Sequence, residues 1–259
     1  MDLEAEYNNR ARVPGHPAII AAWASDSAAW RAACPRVELG LPYGTAPRQA
    51  MDVFWPGDRD DVPLAVWIHG GYWQGLDRSF ASHCARGLNG RGIAVAVPSY
   101  TLCPETTVSG IVAEMLAACT LLFARHGRSM LVAGHSAGGQ LAAMMAHALP
   151  REMVGAILPV SGVFELEPLL TTTIATPLRL DAPTARKLSP RFLPAPGVVT
   201  HAVVGADESD EYLRQTRDFA EAWDGTWEAV PGADHFTVIA PFADPEAPLV
   251  ALAERLARA

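Results

Sequence analysis

Gly134-His135-Ser136-Ala137-Gly138 follows the apolar run Met130-Leu131-Val132-Ala133 and precedes the helix-like stretch Gly139-Gln140-Leu141-Ala142-Ala143-Met144-Met145. This is Gly-x-Ser-x-Gly between a strand and a helix, a turn so tight that it strains the serine backbone and lifts the hydroxyl above a sheet edge. Glycines flank it because larger side chains would collide. The same turn points the Ala137 amide, at a helix N-terminus, toward any oxyanion formed beside Ser136.

A serine hydroxyl attacks only when a base removes its proton and an acid holds that base in one tautomer. In the α/β-hydrolase arrangement these follow in the order serine, acid, histidine, on loops after later strands. The run Val198-Val199-Thr200-His201-Ala202-Val203-Val204 reads as a buried parallel strand. It breaks at Gly205-Ala206-Asp207-Glu208-Ser209, which puts Asp207 just past the strand's C-terminal end, where open α/β sheets bind ligands. Asp207 is the expected acid, with Glu208 and Asp210 as competitors that a one-residue shift of the loop would promote. A helix and the short strand Thr226-Trp227-Glu228-Ala229-Val230 separate it from Pro231-Gly232-Ala233-Asp234-His235-Phe236, the turn carrying the expected base, His235.

The other histidines fit less well: His201 falls inside a strand and is expected in the core, and His147 lies on the elbow helix, pointing away. His16, His83 and His126 have no strand-end context. Asp234 adjoins the base but is badly placed to bond its ring, so a loop-capping role is expected.

Upstream, Pro63-Leu64-Ala65-Val66-Trp67-Ile68 runs into His69-Gly70-Gly71-Tyr72-Trp73. A His-Gly-Gly-Gly loop in this place supplies oxyanion amides in lipases and esterases. Tyr72 replaces the third glycine, but an amide belongs to the backbone and survives that change. The expected oxyanion hole is therefore Gly71, Tyr72 and Ala137, with His69 bracing the loop. Trp73, Phe164 and Phe236, together with Tyr72, are candidate walls for an aromatic substrate.

The 259 residues are half hydrophobic, enough for one globular domain with a sizeable core. Strands are expected at 62–68, 93–97, 130–133, 154–160, 198–204 and 226–230, with an edge pair at 36–39 and 50–54. Helices are expected at 79–89, 108–126, 137–148, 210–223 and 245–257. That alternation predicts an α/β class, a mostly parallel sheet covered by helices on both faces. The long connection 164–196 is apolar enough to read as a small cap or insertion. No apolar signal region opens the chain, and no stretch reads as long enough to span a membrane. The four cysteines lack metal spacing and are read as reduced thiols of a cytoplasmic protein. A net charge of −8 argues against nucleic acid. No dinucleotide or Walker loop occurs, so neither cofactor nor metal is expected. The expected partner is a small-molecule substrate, with a homodimer left open.

The motifs together resemble the serine-hydrolase type of kynurenine formamidase, or arylformamidase, near the hormone-sensitive-lipase-like esterases. The likeness rests on His69 to Trp73 and Gly134 to Gly139. It extends through Glu6-Tyr7-Asn8-Asn9-Arg10, Tyr43-Gly44, Met51-Asp52-Val53-Phe54, Ser161-Gly162-Val163-Phe164-Glu165-Leu166, Val204 to Ser209 with Arg214-Gln215-Thr216, and Gly232 to Phe236. The resemblance implies an α/β-hydrolase fold, a Ser136, Asp207 and His235 triad, and deformylation of N-formylkynurenine or a related formanilide. The alternatives are a carboxylesterase acting on short acyl esters and a non-catalytic binding protein on the same scaffold.

Overall fold

Strands buried on both faces need side chains that are apolar at every position, and this requirement sets the centre of the molecule. The computed structural model describes residues 2–259. Its eight strands are β1 (Arg36–Pro42), β2 (Ala50–Trp55), β3 (Leu64–Ile68), β4 (Ala94–Pro98), β5 (Met130–His135), β6 (Val154–Val160), β7 (Val199–Gly205) and β8 (Thr226–Val230). They form one sheet in the order β1-β2-β4-β3-β5-β6-β7-β8. β2 runs antiparallel to both β1 and β4, and every other pairing is parallel. β3, β4 and β5 are buried along their whole length. Alternate side chains serve opposite faces: Leu64, Val66 and Ile68 enter one core, Ala65 and Trp67 the other.

The helices are α1 (Leu3–Tyr7), α2 (Asn9–Arg12), α3 (His16–Ala33), α4 (Ala85–Gly90), α5 (Val108–His126), α6 (Ala137–Ala148), α7 (Ala175–Leu178), α8 (Ala182–Lys187), α9 (Asp210–Ala222) and α10 (Pro248–Ala257). Residues of α5, α6 and α9 build the first core; residues of α3, α4 and α10 build the second. Thr107 caps α5 by accepting the Gly110 amide, and Gly127 ends it at a left-handed φ of 62°. α5 corrects one expectation, because it is long and apolar enough to cross a membrane by length and composition. Its buried residues Val108, Ile111, Met115, Ala118 and Leu122 recur at helical spacing and face the core.

The elements agree with the sequence reading to within a few residues, with three differences. The expected helix over 79–89 is two short 3₁₀ turns followed by α4. The N-terminal helices were not anticipated, since α3 is alanine-rich and buries only Trp23 and Ser27 fully, leaving little apolar periodicity. The segment 164–196 folds as short helical turns docked on the core through Leu169, Leu178, Ala185 and Leu188. Gln140 Nε2 donates to Leu188 O at 2.9 Å and Trp223 Nε1 to Pro190 O at 3.1 Å, which ties this segment to α6 and α9.

Two buried imidazoles link this packing to acid stability. Burial lowers His69 and His83 each to about 4. His83 sits beneath α3, its Nδ1 3.0 Å from Ser27 Oγ, with Trp23 stacked alongside. Unfolded imidazoles take up a proton below about pH 6.5 while these two stay neutral, so the unfolded state binds more protons and stability falls as pH falls. Each histidine is expected to cost on the order of 3 kcal/mol by pH ~4. Denaturant unfolding at pH ~7 and pH ~4.5 should therefore show a lower midpoint in acid, with a shallower loss in His83→Gln; an unmoved midpoint would contradict it.

Candidate active site

Four loops at the C-terminal edge of the sheet meet around Ser136. The turn between β5 and α6 presses against β3, and a Cβ on Gly138 would collide with the Ile68 carbonyl, so only glycine permits that approach. Ser136 is held at φ 56° and ψ −119°, a conformation that costs a non-glycine residue on the order of 1–3 kcal/mol. Packing offsets that cost: Ser136 N donates to Val160 O at 2.8 Å, and α6 is buried from Ala137 to Ala146.

His235 Nε2 lies 3.1 Å from Ser136 Oγ, and its Nδ1 lies 2.6 Å from Glu208 Oε2. Serine, imidazole and carboxylate thus form one continuous hydrogen-bonded chain, and all three side chains are buried. Asp207, the expected acid, does not take part: its side chain is exposed. The reason is the turn after β7. Glu208 N donates to Gly205 O at 3.2 Å, and the Glu208 side chain curls back so that Oε1 accepts the Gly205 amide at 2.8 Å. Ser161 Oγ also donates to Oε1. These bonds satisfy the buried carboxylate on one side while its other oxygen holds the imidazole. Asp210 is exposed at the first position of α9.

The loop 69–73 carries three consecutive positive φ values, 103° at Gly71, 51° at Tyr72 and 58° at Trp73. Two of these are non-glycine residues, so the loop needs anchors. Trp73 is fully buried, with its indole N–H 3.3 Å from Gln140 Oε1 and its carbonyl accepting from Cys103 N at 2.8 Å. Tyr72 OH donates to Tyr7 O at 2.6 Å and lies 2.7 Å from Tyr212 OH. Because the Tyr7 carbonyl can only accept, the Tyr72 proton is committed there, and Tyr212 donates to Tyr72. Asn9 Nδ2 donates to Tyr212 OH at 3.1 Å. His69 braces the same loop as expected, stacked on Tyr100 with centroids 4.2 Å apart. Among the described residues, the amides of Gly71, Tyr72 and Ala137 have no hydrogen-bond acceptor, which leaves them available to an oxyanion.

Ser136 and His235 line a cavity of about 410 Å³ together with Tyr72, His135, Trp23 and Phe236. Of the expected substrate walls, Tyr72 and Phe236 line it. Trp73 anchors the loop, and Phe164 stacks on Phe219 at 4.0 Å inside the core. From 164–196 only Thr173 and Ile174 reach the cavity, whereas Glu4, Tyr7, Asn8, Asn9, Arg10, Ile20 and Trp23 come from the N-terminal helices and their links. Glu4 accepts from Thr173 N at 2.8 Å and Thr173 Oγ1 at 2.6 Å, joining the two parts of the roof.

The chain matches the alpha/beta hydrolase fold family over residues 65–230, well over half its length. The chain belongs to that family. A solved structure from Silicibacter sp., provisionally called a thioesterase, is 35% identical and superposes with a TM-score of 0.90, covering 97% of this chain and 98% of that one. The kynurenine formamidase of Salmo salar is 29% identical over 80% of this chain and 77% of its own. An esterase of Pyrobaculum calidifontis, 20% identical, shares the fold with a TM-score of 0.76 over 94% of this chain and 93% of its own. This protein is therefore an α/β hydrolase enzyme resembling the kynurenine formamidases.

Several other site expectations have outcomes in this hydrolase. Asp234 caps its loop, accepting from Phe236 N at 2.8 Å and Thr237 N at 2.9 Å. His201 is half-buried rather than in the core, 2.7 Å from Thr226 Oγ1. The four cysteines are buried and unpaired, and burial raises Cys103 to about 11 and Cys119 to about 12. The roles of Tyr7, Asn9 and Tyr212 escaped sequence reading, although Tyr7-Asn8-Asn9-Arg10 is a polar run without apolar periodicity, which was the available signal.

Glu208→Gln should lower kcat on a nitrophenyl ester by roughly three to four orders of magnitude, as loss of a triad acid does. Asp207→Asn should stay within about twofold, as for an exposed residue outside the site. The opposite ranking would return the acid's role to Asp207. Tyr72→Phe should keep the fold and lower kcat about tenfold by loosening the oxyanion loop, which steady-state kinetics with circular dichroism would check.

Proposed function

We propose that this enzyme cleaves aryl formamides of the N-formylkynurenine type by an acyl-enzyme mechanism. The observation that carries the reading is the Ser136, His235 and Glu208 chain at the floor of an aromatic-walled cavity, in a chain resembling kynurenine formamidases.

His235 Nε2 takes the Ser136 proton as Oγ attacks the formyl carbon, and Glu208 holds the imidazolium that results. The oxyanion is received by the amides of Gly71, Tyr72 and Ala137. The tetrahedral adduct then collapses: the C–N bond breaks, the Nε2 proton passes to nitrogen, and the arylamine leaves. That protonation is essential because an anilide anion is a very poor leaving group. Water, deprotonated by His235, attacks the formyl ester, releasing formate and returning the proton to Ser136. Trp23, Tyr72 and Phe236 offer ring surfaces to an aryl group. Exposed Arg10 lines the same cavity and supplies a positive charge for an anionic substituent. A carboxylesterase acting on short acyl esters is the second reading, because the same three side chains would serve an ester without change.

A hydrolysis panel separates the two. N-formylkynurenine and formanilides should turn over, with nitrophenyl esters from acetate to octanoate falling off as the acyl chain lengthens. Turnover of esters alone would end the formamidase reading. Ser136→Ala should also lose covalent labelling by an organophosphate.

A further inference from the structure

One cavity residue is left without a task by this chemistry. His135, the residue before the nucleophile, lines the cavity and is only 5% exposed. Its ring lies 4.8 Å from that of His235, and Trp23 meets it edge-on at 6.0 Å. Nε2 is 2.8 Å from the His235 carbonyl oxygen. A carbonyl only accepts, so Nε2 must carry the proton, and in the neutral ring Nδ1 is then a bare acceptor. The ring stays neutral, because burial and then the neighbouring His235 push its pKa well below the ordinary imidazole value.

Gly70 relates Nδ1 to the nucleophile: a Cβ built there would lie 2.8 Å from the His135 carbonyl oxygen, 3.0 Å from Ser136 Cβ and 3.3 Å from His135 Nδ1, so the nitrogen and the serine side chain both pack against the same glycine of the oxyanion loop. Among the described residues, Nδ1 has no hydrogen-bond partner.

An amide and an ester differ at the leaving atom. For His235 to deliver its proton, the lone pair on the departing nitrogen must face Nε2, which turns the existing N–H away from that base. At the floor of the cavity, where Ser136, His135 and His235 are buried, an N–H without an acceptor is costly. An ester oxygen has no such hydrogen.

We infer that His135 distinguishes formamides from esters, its Nδ1 accepting the N–H of the scissile amide as the tetrahedral adduct collapses. This rests on the formamidase reading. The N–H is kept throughout: nitrogen leaves as the arylamine with that hydrogen and the one from His235. His135 exchanges no proton.

Two variants isolate the acceptor. In His135→Gln the side-chain amide reaches the Nε2 position and keeps the bond to the His235 carbonyl but removes Nδ1. In His135→Asn the amide oxygen reaches the Nδ1 position, and the Nε2 bond is lost. The measurement is kcat/KM for formanilide and for phenyl formate, which differ only in N–H against O. The formanilide to phenyl formate ratio should fall about tenfold in His135→Gln and remain near the wild-type value in His135→Asn. Phenyl formate turnover serves as the internal control for folding. On the unaltered enzyme, N-methylformanilide, which has no N–H, should be slower than formanilide by at least about tenfold. Equal rates on those two amides, or a ratio unmoved in His135→Gln, would overturn the role of His135 and leave the formamidase reading intact. Cleavage of phenyl formate but no formanilide by the unaltered enzyme would overturn both.

Discussion

The close approach of the β5–α6 turn to β3 is the constraint around which the site is organised. Gly138 has no room for a side chain against the Ile68 carbonyl, and that contact holds Ser136 at a positive φ. The strain could not persist on an isolated peptide. It survives because α6 is buried over nearly its whole length and the Ser136 amide is bonded to β6. The catalytic hydroxyl is thus positioned by core packing, and the rest of the site is built to meet it there.

Strain recurs in the oxyanion loop, where Tyr72 and Trp73 both take positive φ. Their side chains act as its anchors. The indole is sunk into the core, and the phenol is pinned to the Tyr7 carbonyl. Tyr7 is fastened in turn by its own hydroxyl, which donates to Glu211 Oε1 at 2.8 Å and accepts from Gln215 Nε2 at 2.6 Å. Burial raises the Tyr7 pKa further, so the phenol remains a donor. The N-terminal helices therefore do two jobs, roofing the cavity and holding the loop that faces the oxyanion. This explains how a tyrosine can stand at 72, where the His-Gly-Gly-Gly loop of lipases and esterases has its third glycine: the side chains of Tyr72 and Trp73 compensate for a backbone that glycine would adopt freely.

The triad acid shows how a carboxylate's neighbours decide its role. Asp207 and Glu208 are adjacent, and both follow the same strand. The turn directs one outward to water and the other inward, where the Gly205 amide and the Ser161 hydroxyl hold it beside His235. The additional methylene of glutamate lets it curl back to the amide while still reaching the ring.

The chain by itself determined the sheet, the helices α5, α6, α9 and α10, the nucleophile and the base, because these depend on local signals: apolar runs, helical periodicity, and glycines spaced for one particular turn. Three matters were decided only by the tertiary structure. Glu208 displaced Asp207, since a one-residue difference in where side chains point is invisible to strand-end counting. Trp73 and Phe164 went to the core, since aromatic residues are equally at home in a pocket wall and in packing. The N-terminal segment became the cavity roof, since its partners Tyr72, Glu211 and Tyr212 lie from about sixty to two hundred positions away, and pairings over such separations leave no periodic trace in the chain.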